Sequence, residues 1–81
     1  MMEQIRQVKA RHQAQLLALA NVVGVGIGLK QVDGQFTDQL ALIVNVRQKL
    51  PLTELAPQDI IPRQIDGIDI DVQEVGQISA I

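Results

Sequence analysis

The stretch NVVGVGIGLK, residues 21–30, places a glycine at every second position. Apolar residues stand between Gly24, Gly26 and Gly28. Because successive side chains of a strand point to opposite faces, this pattern predicts a strand with one apolar face and one face of bare backbone. A dinucleotide loop would need G-x-G-x-x-G before a helix, and a Walker loop would need a terminal Gly-Lys-Ser/Thr. Neither is present, so we expect no bound nucleotide.

Glycine in the interior of a strand costs roughly 0.5–1 kcal/mol relative to alanine. Three glycines on one face therefore predict that something packs closely against that backbone. We expect the neighbour to be either the helix of the same chain or another chain.

Periodicity predicts the remaining elements. Four aliphatic residues and one histidine recur at helical spacing in residues 2–20, as Ile5, Val8, His12, Leu16 and Leu19. We predict strands at about 22–32, 39–49, 63–66 and 68–75, with a connection over 33–38 that is longer than a two-residue turn. Three prolines exclude a regular strand in residues 50–62. The expectation is a single domain, 1–81, of the α+β class, with one long N-terminal helix packed on a small antiparallel sheet.

The second strand is apolar on both faces. One row consists of Leu40, Leu42, Val44 and Val46, and the other contains Ala41, Ile43 and Asn45. One helix covers one face, so the other is left as an interface, unless the proline-rich segment folds back over it. The interface hypothesis comprises Gly24, Gly26, Gly28, Ala41, Ile43 and Asn45.

The composition excludes several classes of partner. The chain has 81 residues, a net charge of −2, no cysteine, and Phe36 as its only aromatic residue. Without a basic run or stacking platforms, nucleic acid is not an expected partner. The N-terminus lacks the apolar core of a signal peptide, and no apolar run reaches the length of a membrane span. We expect a cytoplasmic protein with no membrane association, cofactor or metal.

The sequence does not assemble an active site. Its only serine is Ser79 and its only histidine is His12, so nucleophilic catalysis has one weak pair of candidates, and we expect His12 to be a packing or rim residue. Four acidic residues cluster near the C-terminus, where a solvated strand face is the favoured interpretation and weak binding of a divalent cation is the alternative: Asp66, Asp69, Asp71 and Glu74. We therefore expect no enzymatic activity.

Three motifs in fixed order carry a family resemblance. They are NVVGVGIGLK (21–30), DQLALIVNVRQKLPLTEL (38–55) and PQDIIPRQIDGIDIDVQEVG (57–76). Together they resemble the N-terminal region of bacterial trypsin-like serine peptidases, which precedes a chymotrypsin-type double barrel. The catalytic residues of that family belong to the barrel, beyond residue 81, so none is assigned here. This sequence also has Asn45 where the family more often has a bulky apolar residue.

The resemblance implies a non-catalytic accessory or assembly domain. Such a domain packs on a peptidase domain or on copies of itself as a homo-oligomer. The alternative is a propeptide-like folding assistant or inhibitor of a serine peptidase.

Overall fold

A computed structural model describes residues 2–75, without the side chain of Leu52. The helix α1 (Met2–Leu17) is followed by the strands β1 (Val22–Val32), β2 (Gln35–Val46), β3 (Gln64–Ile65) and β4 (Ile68–Glu74). Two short 3-10 turns, Leu52–Glu54 and Pro57–Asp59, lie between β2 and β3. The α+β class, with one N-terminal helix and four strands over the described residues, is confirmed.

The sheet is mixed rather than purely antiparallel. Its strand order is β1-β2-β4-β3. β1 and β2 form an antiparallel hairpin, β3 and β4 form a second one, and β2 runs parallel to β4. The long proline-containing connection lets β4 enter beside β2 in the same direction. Apolar periodicity carries no information on strand direction, which is why the sequence did not predict the parallel pair.

A tight turn joins β1 to β2. Asp33 has φ 52° and Gly34 has φ 80°, both in the left-handed region that a two-residue hairpin turn of type I′ requires. The longer connection expected over 33–38 is therefore wrong. Pairing instead changes register further along, between the pair Leu29↔Leu40 and the pair Gln31↔Phe36, so β2 begins earlier than its apolar pattern indicates.

The core lies between α1 and one face of the sheet. From the helix come Ile5, Val8 and Leu16, and from the strands come Leu42, Val44, Val46, Ile68 and Ile70. Ile61, in the proline-rich segment, packs against the same cluster. That segment therefore lies on the helix side, and the hypothesis that it folds over the other face is wrong.

The helix ends three residues earlier than predicted. α1 stops at Leu17, and Asn21 adopts a left-handed φ of 74° directly before β1. The Asn21 side chain exchanges hydrogen bonds with the backbone N–H and C=O of Gln48, which fixes the entry into β1. Within residues 2–75, α1 is too short and too polar to cross a bilayer.

Candidate functional site

The six residues of the interface hypothesis lie together on the sheet face opposite α1, which we name the glycine face. Cross-strand pairing joins them two by two, as Gly24↔Asn45, Gly26↔Ile43 and Gly28↔Ala41. Their neighbours along the strands, such as Leu42 and Val44, point to α1 instead. The helix therefore does not cover the glycine face, and this part of the close-packing expectation is wrong.

At two of the three glycines, the position that a Cβ would occupy lies close to a side chain of the same chain. A Cβ at residue 28 would lie 3.2 Å from Cγ1 of Ile43, and a Cβ at residue 24 would lie 3.4 Å from Nδ2 of Asn45. The close neighbour is thus a side chain of the paired strand. A Cβ at Gly26, by contrast, would meet nothing within 4 Å in the described part of the chain. The centre of the glycine face is open.

The end of β1 crosses the glycine face and ties itself to β4. The backbone N–H of Gln31 donates to Oδ2 of Asp71 at 2.8 Å, and Nζ of Lys30 lies 3.3 Å from Oδ2 of Asp69. These bonds reach across β2, which lies between the two strands in the sheet. Ala41 and Ile43, on β2, are buried within the described part of the chain, so these two residues of the interface hypothesis are not exposed to a partner.

The acidic residues of β4 do not form the solvated face that we expected. The Asp69 side chain is only 17% exposed, and its carboxylate accepts hydrogen bonds from the side chains of Gln39, Gln64 and Lys30. The bond from Gln64, followed by the bond from Lys30, holds the pKa of Asp69 below its usual value. Among the described residues, no group of three acidic or histidine side chains is placed to hold a metal ion.

The other acidic side chains also have partners. Glu74 accepts a hydrogen bond from the backbone N–H of Lys49 at 2.8 Å. Asp71 accepts from the side chain of Gln73 in addition to Gln31. The acidic cluster is therefore a set of structural acceptors that connect the sheet to its loops.

His12 is a rim residue that joins α1 to the β3–β4 turn. Its Nε2 atom lies 3.0 Å from Oδ2 of Asp66, which also accepts from Arg11 at 2.9 Å. Asp66 stands in the turn with φ 52°. The hydrogen bond to His12 is the main cause that lowers the pKa of Asp66, with Arg11 adding to it. Ser79, the candidate nucleophile, lies outside the described residues.

Sequence patterns missed an exposed apolar tip on the β1–β2 hairpin. The Phe36 side chain is 66% exposed and Val32 is 50% exposed, on either side of the turn. Large exposed aromatic side chains are enriched at protein interfaces. The available signal was the position of the single aromatic residue two places after the Asp33-Gly34 turn, outside the apolar alternation of β2.

A small cavity of about 220 Å³ lies at the opposite end of the sheet, between the proline-rich segment and β2. Its lining includes Val46, Ile60, Ile61, Asn21 and Asp59. Two of its polar side chains have partners within the fold: Oδ1 of Asp59 accepts from the backbone N–H of Ala20 at 3.0 Å, and Asn21 is bonded to Gln48. These contacts give Asp59 and Asn21 a structural role.

The chain matches no protein-family model and no curated protein.

Proposed function

We propose that this chain is a non-catalytic accessory or assembly domain that packs through the open centre of its glycine face, at Gly26, on a peptidase domain or on a second copy of itself. The observation that carries the proposal is Gly26, which faces open space at the centre of the glycine face. Its conformational cost of roughly 0.5–1 kcal/mol relative to alanine is not offset by any neighbour within residues 2–75. A contact from outside the described chain supplies the missing reason for a glycine at this position.

The hairpin tip supports the same proposal. Phe36 and Val32 expose apolar surface at the end of β1 and β2, next to the strands that form the glycine face. Burial of such side chains contributes about 25 cal/mol per Å² of apolar surface removed from water. A partner that covers both the tip and the centre of the glycine face gains more than one that covers either alone.

The proposal excludes catalysis by the domain itself. His12 is occupied by Asp66, and the peptidase family that the motifs resemble carries its catalytic residues in a separate barrel domain. We expect the isolated chain to hydrolyse neither peptides nor simple esters. Turnover of a chromogenic ester that disappears in a Ser79→Ala variant would contradict this expectation.

The decisive experiment measures molar mass in solution by light scattering across protein concentration, for the isolated chain and for the chain mixed with a bacterial chymotrypsin-fold barrel domain. We expect association in one of the two samples. Gly26→Val should abolish it without lowering the melting temperature of the monomer, because an added Cβ meets no atom within 4 Å among the described residues. Ala56→Val, which also adds apolar side-chain volume, at an exposed residue of the proline-rich segment with extended backbone, is the control. Unchanged mass in Gly26→Val would contradict the proposal.

The alternative function, a propeptide-like folding assistant or inhibitor, is separated by an activity assay. An assembly domain alters the mass of the complex and leaves ester hydrolysis by the barrel domain unchanged. An inhibitor lowers that hydrolysis in proportion to the amount of chain added. A folding assistant raises the yield of active barrel on refolding without remaining bound.

A further inference from the structure

A shallow groove runs between α1 and the free edge of β1. Four helix residues and three strand residues line it: Arg6, Lys9, Ala10, Gln13, Val25, Gly26 and Ile27. β1 is the terminal strand of the sheet, and within residues 2–75 its middle pairs only with β2. Alternate residues of an edge strand direct their N–H and C=O groups away from the one partner strand. One wall of the groove therefore carries unpaired backbone donors and acceptors.

The part of β1 that lines the groove pairs regularly with β2. Pairing between β1 and β2 is irregular between Val22 and Gly24 and again between Leu29 and Gln31. The run from Gly24 to Leu29 between these irregularities is as long as a typical strand. An edge of this length and apolar composition is a template for a further strand unless it is protected. The groove lies at the middle of this run.

The helix side of the groove is basic. Neither Arg6 nor Lys9 forms an ion pair with a carboxylate in the described part of the chain. Nζ of Lys9 donates to Oε1 of Gln13 at 3.0 Å, which positions the ammonium group and leaves two of its three donor sites available. No acidic residue lines the groove.

We propose that this groove binds an extended peptide segment, which adds as a strand to the edge of β1 and presents carboxylate side chains to Arg6 and Lys9. Backbone hydrogen bonds to β1 provide affinity, and the two cations select acidic side chains. This is the strand-addition mode of peptide recognition. Val25 and Ile27 form the apolar floor on which side chains of the incoming strand rest.

Charge argues against a second copy of the chain as the occupant. The sequence of β1, VVGVGIGLKQV, contains Lys30 and no acidic residue, and α1 contains only Glu3. Two copies paired edge to edge would offer no carboxylate from β1 to Arg6 or Lys9. An acidic peptide supplies the missing charges. Gly26 lines this groove and also lies at the centre of the glycine face, so the two proposals are separated by their tests: charge reversal at Arg6 and Lys9 tests peptide binding, and the molar mass of the wild-type chain tests assembly.

The first test uses a fluorescently labelled peptide, Thr-Val-Glu-Val-Glu-Val-Thr, titrated with the full chain and followed by fluorescence anisotropy. A matched peptide replaces both glutamates with lysine, and a third replaces two valines with proline to remove strand hydrogen bonds. We expect the lysine peptide to bind roughly tenfold more weakly than the glutamate peptide and the proline peptide not to bind. Binding should weaken as salt is raised. Equal binding of the proline peptide would overturn the proposal.

The second test reverses the charge of the groove. In the double variant Arg6→Glu/Lys9→Glu we expect roughly tenfold weaker binding of the glutamate peptide and stronger binding of the lysine peptide. Arg63→Glu is the matched control, because Arg63 is exposed and precedes β3 at the opposite edge of the sheet. Circular dichroism establishes that each variant is folded. Identical peptide preference in the double variant and the wild type would overturn the proposal.

Hydrogen exchange locates the bound peptide. We expect amide protection to increase at alternate residues between Gly24 and Leu29 when the glutamate peptide is added. A chain that dimerises without peptide and protects the same amides would assign the edge to a second copy, and this outcome would also overturn the proposal.

Discussion

Cγ1 of Ile43 lies 3.2 Å from the position that a Cβ of residue 28 would occupy. Gly28 is therefore a glycine because the side chain of the neighbouring strand lies over its backbone. Gly26, one pair further along, has the opposite environment, with nothing within 4 Å among the described residues. Packing inside the domain explains Gly28, whereas Gly26 is the glycine on which the proposed contact with a partner rests.

Gly28→Val should destabilise the isolated chain. The added side chain collides with Ile43, and overpacking of this kind typically costs about 1–3 kcal/mol. Chemical denaturation measures the loss, with Gly26→Val as the variant that should not lower the free energy of unfolding of the monomer.

Shortening the side chain of Ile43 should relieve its collision with the side chain that Gly28→Val adds. In the double variant Gly28→Val/Ile43→Ala, we expect a smaller loss of stability than the sum of the two single variants, because the shorter side chain vacates the space. Double-mutant cycles detect such coupling between residues in contact. Strict additivity would show that Gly28→Val acts through the backbone and not through Ile43.

Replacing glycine by alanine should lower stability in the β1–β2 turn but not at the centre of β1. Gly34 has φ 80°, which an alanine adopts only with strain, so Gly34→Ala should lower the free energy of unfolding by about 1 kcal/mol. Gly26 does not have a positive φ, and Gly26→Ala should be neutral or stabilising by about 0.4–1 kcal/mol. Thermal unfolding of the two variants side by side measures the contrast. A loss of stability in Gly26→Ala equal to that in Gly34→Ala would contradict it.

Much of the fold was predictable because its signals are local. The helical stripe that includes Ile5 and Leu16, the Asp-Gly turns and the period of two in β1 each depend on neighbours within a few residues. The alternation in β1 and β2 also placed the six residues of the glycine face on a common side. These assignments follow from the periods of helices and strands alone.

The features that could not be predicted depend on contacts between residues that are distant in sequence. The parallel pairing of β2 with β4 follows from where the proline-rich connection returns the chain, and the exposed Phe36 pairs with Gln31 on the turn side of the register change. The acceptors Asp69 and Asp71 looked solvated because three of their donors lie about thirty to forty residues away in sequence, in Lys30, Gln31 and Gln39. The alternation of apolar residues shows which residues share a face of the sheet. It does not show which distant segments of the chain lie over that face.

Exposure at the hairpin tip predicts a substitution that affects association and not folding. Phe36 is 66% exposed, so Phe36→Ser should change the free energy of unfolding of the monomer by less than about 0.5 kcal/mol. If the proposed partner covers the tip, the same variant should weaken association measured by light scattering. A large loss of stability in the monomer would instead mean that Phe36 packs within the domain.

The bond between His12 and Asp66 predicts a dependence of stability on pH. Hydrogen bonds from His12 and Arg11 lower the pKa of Asp66 below its usual value of 3.8 in the folded state. A lowered pKa stabilises the fold above the unfolded value, and this contribution is lost as pH falls from about 4 through the pKa of the folded state. Asp66→Asn keeps a residue that tolerates the left-handed φ of 52° and removes the charge. We expect the difference in urea midpoint between wild type and Asp66→Asn to be full at pH 6 and to vanish in strong acid.

His12→Leu removes the largest cause of the lowered pKa of Asp66. The loss of stability with falling pH should therefore begin at a higher pH than in the wild type, while Arg11 retains part of the effect. NMR titration of the Asp66 carboxyl measures the pKa directly, and an unchanged pKa in His12→Leu would show that Arg11 alone sets it.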